Sequence, residues 1–388
     1  MGIVRPYYKV ILPKAGGDFE VQWEDCYNEL SELLQNTEFK PFRISVFVNS
    51  IAEADYRFKS DFIRNSVGRL ANGNAWPVGI IPQSPEVPFD VVIELGMVRE
   101  KDGLVQYHTV DGLNYCTIRS GELTECWMVG AISNGKPENI VESADSSFQK
   151  LKSVLNSAEL NFDTLVRQWN YVGDILKLNT SSESPKQHYQ MFNEMRNTYY
   201  TRYRKCSGFP AATGIGMNFN NVGIDCFAIS ENQAIEIVPV SNPNQYESYH
   251  YGQEVLVGDP IAHKQPPQFE RAVIVNSRTK SRLIISGTAS IVGQKTIGIG
   301  DVEQQTKVTI ENIEMLVSRS NLERQCPNLT EYPDKYSYLR VYVKNRSDID
   351  AVKNICVNYY GDVPMNFVQA DICRDNLLVE IEAEKVHD

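Results

Sequence analysis

The chain has 388 residues, enough for two or three domains of roughly 150 residues each. Hydrophobic residues make up 42% and charged residues 22%, which excludes a disordered, collagenous or fibrous chain. Lys and Arg number 38 against 49 Asp and Glu, a net charge of −11 with no basic block to offset it, so nucleic acid is not expected as a partner.

The opening MGIVRPYYKVILPK has no apolar secretory core, and Pro6 stands where a myristoylation motif needs Ser or Thr. No window nears the ~18 apolar residues that span a bilayer. A cytoplasmic chain without a membrane partner is expected. In WEDCYNELSELL, residues Trp23, Cys26, Tyr27, Leu30, Leu33 and Leu34 recur at helical spacing and predict one buried helical stripe. RISVFVN (43–49) alternates Ile44, Val46 and Val48 with polar neighbours and predicts a half-buried strand. ADYRFKSDFIRNSV predicts a second helix, WPVGIIP a strand opened by Pro77, and FDVVIELGMV (89–98) a closing strand.

The same order returns from residue 147 as SFQKLKSVLN, RQWNYVG, HYQMFNEMRNTYYTRY, FPAATGIG and VGIDCFAIS. It returns again as DVEQQTKVTIENIEML, with Asp301 as N-cap and Gln304 at N3, then LRVYVK, DIDAVKNICVNYYG, VPMNFVQAD and LLVEIEAEKV. Pro77, Pro210 and Pro364 open the same strand in the three copies. Copies two and three also carry strands ahead of their first helix, LNYCTIRSG with ECWMVGAIS and RAVIVNS with SRLIISGTAS, where Gly130 and Gly287 match. Copy one offers only YYKVILPK. The chain divides at 1–99, 100–236 and 265–388, with a Pro-, Asn- and Tyr-rich connection at 237–264. Each unit is a sheet covered on one face by two helices, so its other face needs a partner, which sister units supply.

Eight cysteines (26, 116, 126, 206, 226, 326, 356, 373) are scattered singly and are expected to be reduced and mostly buried. The five histidines are equally dispersed, so no metal is expected. GIGIGDVEQQ ends in an acidic turn with no lysine after it, so phosphate binding there is not expected.

The third copy resembles the Rid/YjgF proteins, also called endoribonuclease L-PSP or translation initiation inhibitors. The likeness lies in SGTAS, in Asp301, Gln304, Gln305, Asn312 and Ile313, in VYVK, and in VEIEA (379–383). It covers 271–388, extends to 147–230 and is faintest over 20–98. The resemblance implies an α+β fold of repeated Rid/YjgF-like (chorismate-mutase-like) units, each a mixed sheet with two helices on one face, arranged as an intrachain pseudo-trimer. The first unit would be partial, and the whole a monomer or a homo-oligomer of pseudo-trimers. Imine-hydrolysing members of that family hold the substrate carboxylate with an arginine just after the strand-opening proline. Here those stretches read PVGI, PAAT and PMNF.

Copies two and three together resemble the chorismatases more specifically. The motifs are Y-x-x-F-N-x-x-R (Tyr189 to Arg196), FPAATGIG, F-x-R-A (Phe269 to Ala272), SGTAS, and D-I-C-R-x-x-L-L-V-E-I-E-A (Asp371 to Ala383). The resemblance implies cofactor-free cleavage of chorismate, a dianion with an enol-ether side chain, with release of pyruvate. Such a reaction needs cations and an acid that stays protonated at neutral pH, as a desolvated carboxyl does. Glu380, at the position the family marks as catalytic, is the candidate. Alternation puts it on one face with Glu382, and its counterparts in the earlier copies are read as Glu94 and Asp225. Arg196, Arg202 and Arg271 are candidates for the carboxylates and Tyr189 for a hydroxyl contact. Gly287, read as leaving room for the substrate ring, and Cys373 resemble the pattern of members that form 3-hydroxybenzoate rather than a dihydroxycyclohexadiene carboxylate. A Rid-like hydrolase or deaminase of another enol or imine, and a non-catalytic small-molecule binding protein, remain the alternatives.

Overall fold

Three stretches of alternating and helical periodicity become three sheet-and-helix units in the computed structural model, which describes residues 2–14, 16–35, 38–132, 139–179, 185–219, 221–256 and 264–387. The first contains β1 (Tyr7–Ile11), α1 (Phe19–Gln35), β2 (Phe39–Val48), α2 (Glu53–Ala71), β3 (Val78–Ile81) and β4 (Val91–Arg99). The second contains β5 (Leu104–Val110), β6 (Leu113–Ser120), β7 (Leu123–Ile132), α3 (Ile140–Ser157) and β8 (Leu165–Gly173). A two-residue ladder of β9 (Leu178–Asn179) and β10 (Lys186–Gln187) leads into α4 (His188–Tyr203), β11 (Ala211–Met217) and β12 (Val222–Ile229). The third contains β13 (Ile235–Val240), β14 (Ala272–Ser277), β15 (Ser281–Ala289), the short pair β16 (Ile291–Val292) and β17 (Lys295–Thr296), α5 (Val302–Val317), α6 (Arg319–Gln325), β18 (Lys335–Val343), α7 (Ile349–Tyr360), β19 (Met365–Gln369) and β20 (Val379–Val386).

The sheet orders are β1-β4-β2-β3, β11-β8-β12-β7-β6-β5 and β13-β14-β15-β20-β18-β19. A shared kernel runs through them: β1-β4-β2-β3, β7-β12-β8-β11 and β15-β20-β18-β19. In each kernel the last pair is parallel, and its crossover is the helix between the two strands, α2, α4 or α7. Pro77, Pro210 and Pro364 stand just before β3, β11 and β19, where the missing N–H costs no ladder bond. At the start of α5 the Asp301 side chain accepts the Gln304 N–H at 2.9 Å, as its capping position requires. Residues 237–240, read in sequence as connection, complete β13 on the edge of the third sheet, while residues 257–263 of that connection lie outside the described residues.

The expectation of a half-buried strand at 43–49 is corrected by the packing. β2 is buried from Pro41 to Val48, because Ile44, Val46 and Val48 meet α1 and α2 while Phe42 and Phe47 enter a core shared by all three sheets. That shared core also holds Trp127, Trp169, Tyr171, Phe227 and Tyr342. Buried charges run through it. Arg340 donates to both oxygens of Glu94, Arg43 reaches Glu94 at 3.1 Å, and Asn366 adds a hydrogen bond at 2.7 Å. Arg167 pairs with Glu382 at 2.8 Å, and Arg282 with Glu384 at 2.8 Å and Glu125 at 3.4 Å. Each pair links different units or strands at depth, so the three sheets are tied by ions as well as by apolar contact.

Strand register corrects the internal alignment of the carboxyls. Val92 pairs with Phe47, Gly223 with Tyr171 and Glu380 with Tyr342, whereas Glu94 pairs with Ser45, Asp225 with Trp169 and Glu382 with Arg340. Bulges in β7 and β15 place Gly130 against Asp225 and Gly287 opposite Glu382. The counterpart of Glu94 and Asp225 is therefore Glu382, and Glu380 stands where the other sheets carry Val92 and Gly223. The V-V-I-E, V-G-I-D and V-E-I-E stretches were offset by two residues because alternation conserves the face at that slip.

Among the described residues no helix is long and apolar enough to cross a membrane. Arg340→Met leaves Glu94 and Glu382 short of their shared cation in the dry core. It is expected to cost about 3–5 kcal/mol in urea unfolding, and a change below about 1 kcal/mol would show that the junction does not depend on this ion pair.

Candidate functional site

β11 and the start of α4 face β15 and β20 across a cleft between the second and third sheets. Its unfilled space, counted out through the open mouth and including solvent there, is about 710 Å³. Ala212 and Gly214 of β11 and Gln187, Tyr189, Gln190 and Asn193 line one side. Gly287, Ala289, Cys373, Arg374, Leu377 and Glu380 line the other, with Tyr251, Phe269 and Arg271 closing the end. Glycine at 214 lets the Tyr189 ring lie flat on the strand, since a Cβ there would stand 2.8 Å from Cε2.

Glu380 is 5% exposed and, among the described residues, receives no hydrogen bond. Burial, reinforced by the negative charge of Glu382, pushes its carboxyl up to about 8 against the opposing pull of Arg167 and Arg271. Glu382, two residues on, goes the other way. Burial would raise it, but Arg340, Arg167 and the Thr213 hydroxyl hold it below the ordinary carboxylate range.

Gly287 was expected to make room for a ring. The structure gives that space to Glu380 instead: a Cβ on Gly287 would fall 1.9 Å from Glu380 Oε1 and 3.1 Å from Thr213 Oγ1. The glycine is required because the carboxyl lies directly on the backbone of the β15 bulge.

Two guanidiniums share one ring. Arg271 donates to the Tyr251 hydroxyl at 2.7 Å and to the Tyr246 carbonyl, and its carbon lies 5.5 Å from the Tyr251 centroid. Arg374 lies 5.0 Å from the same centroid and donates to the Gln294 carbonyl at 2.8 Å. Arg271 Nε and Arg374 Nη2 are buried without a partner. Buried N–H groups left unpaired cost about 1–3 kcal/mol each, so the pair is poised for an acceptor. Arg196 sits one layer behind, over the Phe192 ring, donating to Asn193 Oδ1 at 2.7 Å with its Nε also unpartnered. It reaches the cleft through Asn193.

Glu380, Arg271, Tyr189, Gly287 and Cys373 thus line one cavity. Arg202 does not: it is exposed at the end of α4 and stacks on Tyr203, because its helical phase points away from the Arg196 stripe. Cys373 is partly exposed to the cleft, and burial together with Glu380 pushes its thiol up to about 12, so it is a neutral wall. Arg374 and Tyr251 were not singled out from sequence. Arg374 follows Cys373 inside a quoted motif, whereas Tyr251 lies in the connection, where no periodicity marks it.

A family model described as chorismatase FkbO/Hyg5-like, N-terminal, matches residues 108–228. A 3-hydroxybenzoate synthase of Streptomyces hygroscopicus is 31% identical over 230 residues, covering 58% of this chain and 64% of that protein, so the match spans less than two thirds of that relative. A chorismatase of the same organism is 28% identical over 262 residues, covering 67% and 72%. A solved chorismatase structure superposes with a TM-score of 0.70 at 19% identity, covering 99% of each chain. The fold is thus that of the solved chorismatase, built in this chain from three related sheet-and-helix units. Over these stretches the chain is similar to chorismatases.

The raised Glu380 carboxyl is linked to stability. Below about 4.5 the group is protonated folded and unfolded alike; between about 4.5 and 8 the unfolded chain alone loses its proton, and folding is penalised increasingly up to a plateau above 8. Glu380→Gln is therefore expected to gain stability over the parent as pH rises, reaching a few kcal/mol at pH 9. Thermal melts from pH 4 to 9 measure it, and a pH-independent difference would contradict a buried, unpaired acid.

Proposed function

We propose that the protein cleaves chorismate into pyruvate and 3-hydroxybenzoate, with Glu380 as general acid. The observation that carries this reading is an unpaired, buried carboxyl, whose burial favours the protonated form at neutral pH, facing guanidiniums with unsatisfied N–H groups. Arg271 and Arg374, held on Tyr251, take the substrate carboxylates, and Arg196 orients Asn193 toward them. Glu380 protonates the enol methylene carbon. The ring carbon–oxygen bond then breaks, its electron pair stays with the departing oxygen, and pyruvate leaves as the ketone.

The neighbouring ring hydroxyl attacks the vacated carbon and returns its proton to the Glu380 carboxylate. Ring opening of the resulting epoxide and loss of a ring hydrogen give the aromatic acid. The atoms of the products sum to those of the substrate, so no water, oxidant or reductant enters. Gly287 contributes by fixing where the proton is delivered, and Cys373 by bounding the space beside it. Val78, Ala211 and Met365 follow the three strand-opening prolines, and none is the cation an imine hydrolase of this scaffold would use.

Incubation with chorismate, followed by chromatography, is expected to yield pyruvate and 3-hydroxybenzoate in equal amounts. Release of ammonia from amino-acid-derived imines, or ligand binding without turnover, would replace this reading. Glu380→Gln should lower kcat by roughly 10²–10⁴-fold with little change in KM. For the parent, kcat/KM should be level at neutral pH and fall as pH rises through about 8, because the proton-bearing form is the active one.

Arg271→Met and Arg374→Met remove bidentate carboxylate partners and are each expected to lower kcat/KM at least about tenfold, mainly through KM. Arg202→Met, on the surface, should change neither constant, and a loss there equal to the other two would show that the cleft is not the site.

A further inference from the structure

β20 presents two carboxyls to the interior, and their surroundings differ sharply. Glu382 accepts from Arg167 Nη2 at 2.8 Å, Trp169 Nε1 at 2.7 Å, the Thr213 hydroxyl at 2.6 Å and the Tyr342 hydroxyl at 3.3 Å, with Arg340 at 3.3 Å. Glu380, one step nearer the cleft, has no such partner among the described residues. Arg167 belongs to the second unit, and its Nη2 is shared between Glu382 and the Thr213 hydroxyl, the latter at 2.6 Å. Thr213 also accepts the Gly287 N–H at 3.1 Å, at the bulge where the Glu380 carboxyl rests.

We propose that Glu382 is a positioning residue for the acid: with Thr213 it holds Arg167 as its own ion partner, sharing Arg340 with Glu94, so that Arg167 does not pair with Glu380, and it seats the Gly287 bulge beneath that carboxyl. The inference rests on the reading of Glu380 as the general acid and assigns a second carboxylate to the same reaction. A guanidinium that swung onto Glu380 would stabilise its anion, and the acid would lose its proton to water before substrate arrived. A carboxylate that occupies the cation opposes that swing and adds a like charge near Glu380.

The charged and titratable groups around Glu380 come from several elements. Glu382 lies on β20, Arg167 on β8, Arg271 ahead of β14, Cys373 and Arg374 in the loop before β20, Tyr189 on α4, and Tyr251 in the connection. Tyr189 and Cys373 are both pushed up, chiefly by burial, so they stay neutral near pH 8. The fixed charges are thus one carboxylate and the guanidiniums, and removing one sign or the other must move the acid in opposite directions.

Carbon-13 NMR of chain labelled at glutamate carboxyls reads this directly, with Glu380 assigned as the resonance missing in Glu380→Gln. Glu382→Gln is expected to lower the Glu380 titration midpoint by at least roughly one pH unit, and Arg167→Met to raise it. Glu382→Asp, which keeps the charge, should restore most of the parent midpoint. The alkaline limb of kcat should shift with each midpoint while KM stays, since Arg271 and Arg374 are untouched. Midpoints that stay put, or move in the same direction in Glu382→Gln and Arg167→Met, overturn the proposal.

If Glu382→Gln does not fold, Glu382→Asp and Arg167→Met decide: no upward shift in Arg167→Met overturns it. The NMR titration needs no turnover, so opposite shifts in a protein that releases no pyruvate would support the arrangement and reject the functional reading.

Discussion

The structure turns on an unequal division of cations between two buried carboxyls. Taking a carboxylate out of water costs several kcal/mol unless a cation and hydrogen bonds replace the lost hydration. At Glu382 the replacement is complete, through Arg167, Arg340, Trp169 and Thr213. At Glu380 it is withheld, and the group responds by keeping its proton. Because the two side chains share one strand face, the same core that makes one an anion makes the other an acid. The three-sheet junction supplies that core, and no single unit could, since Arg167, Trp169 and Thr213 come from the second unit and Arg340 and both glutamates from the third.

Internal repetition explains why the site sits between the second and third units. At the register position of Glu380 the other sheets carry Val92 and Gly223, so those strands offer no acid. Between the first and second units, Gly79 and Gly130 bring two backbones together, and a Cβ on Gly79 would lie 3.3 Å from Gly130 N. Tyr56, the α2 counterpart of Tyr189 in helix order, gives its hydroxyl to the Ile80 carbonyl and its ring to Phe219. Between the third and first units Lys353 pairs with Glu86 at 2.6 Å. These contacts tie the first unit to both of the others, which helps to hold the second and third units in place around their shared cleft.

Much of the fold was legible because a repeated order of helical and alternating stripes is a strong signal: each local pattern is weak, but the stripe of Trp23, Cys26 and Leu30 and its later counterparts had to serve the same packing. That Glu380 would be a desolvated carboxyl was legible from its motif and from strand alternation, and it is buried in the cleft. The half-buried reading of 43–49 failed because Arg43 and Ser45 look solvent-facing in sequence, whereas the sister sheets bury them beside Glu94. Arg202 failed for the converse reason, since charge alone does not tell a ligand from a solvated helix end. Tyr251 was invisible because its role depends on two arginines meeting over one ring, a tertiary coincidence that leaves no period in the chain.

Glycine at 287 and the proton on Glu380 are then one constraint rather than two. Any Cβ at 287 would occupy the seat of the carboxyl and drive it toward the mouth of the cleft, where water could solvate its anion. Rehydration would remove the main cause of the raised proton affinity, while the Arg271 and Arg374 guanidiniums would lie nearer to pair with it. A backbone without a side chain at that point therefore sets both where the acid is held and the form in which it is held. The β15 bulge that presents this backbone is in turn anchored by Thr213, so the proton of the third unit depends on a hydroxyl of the second.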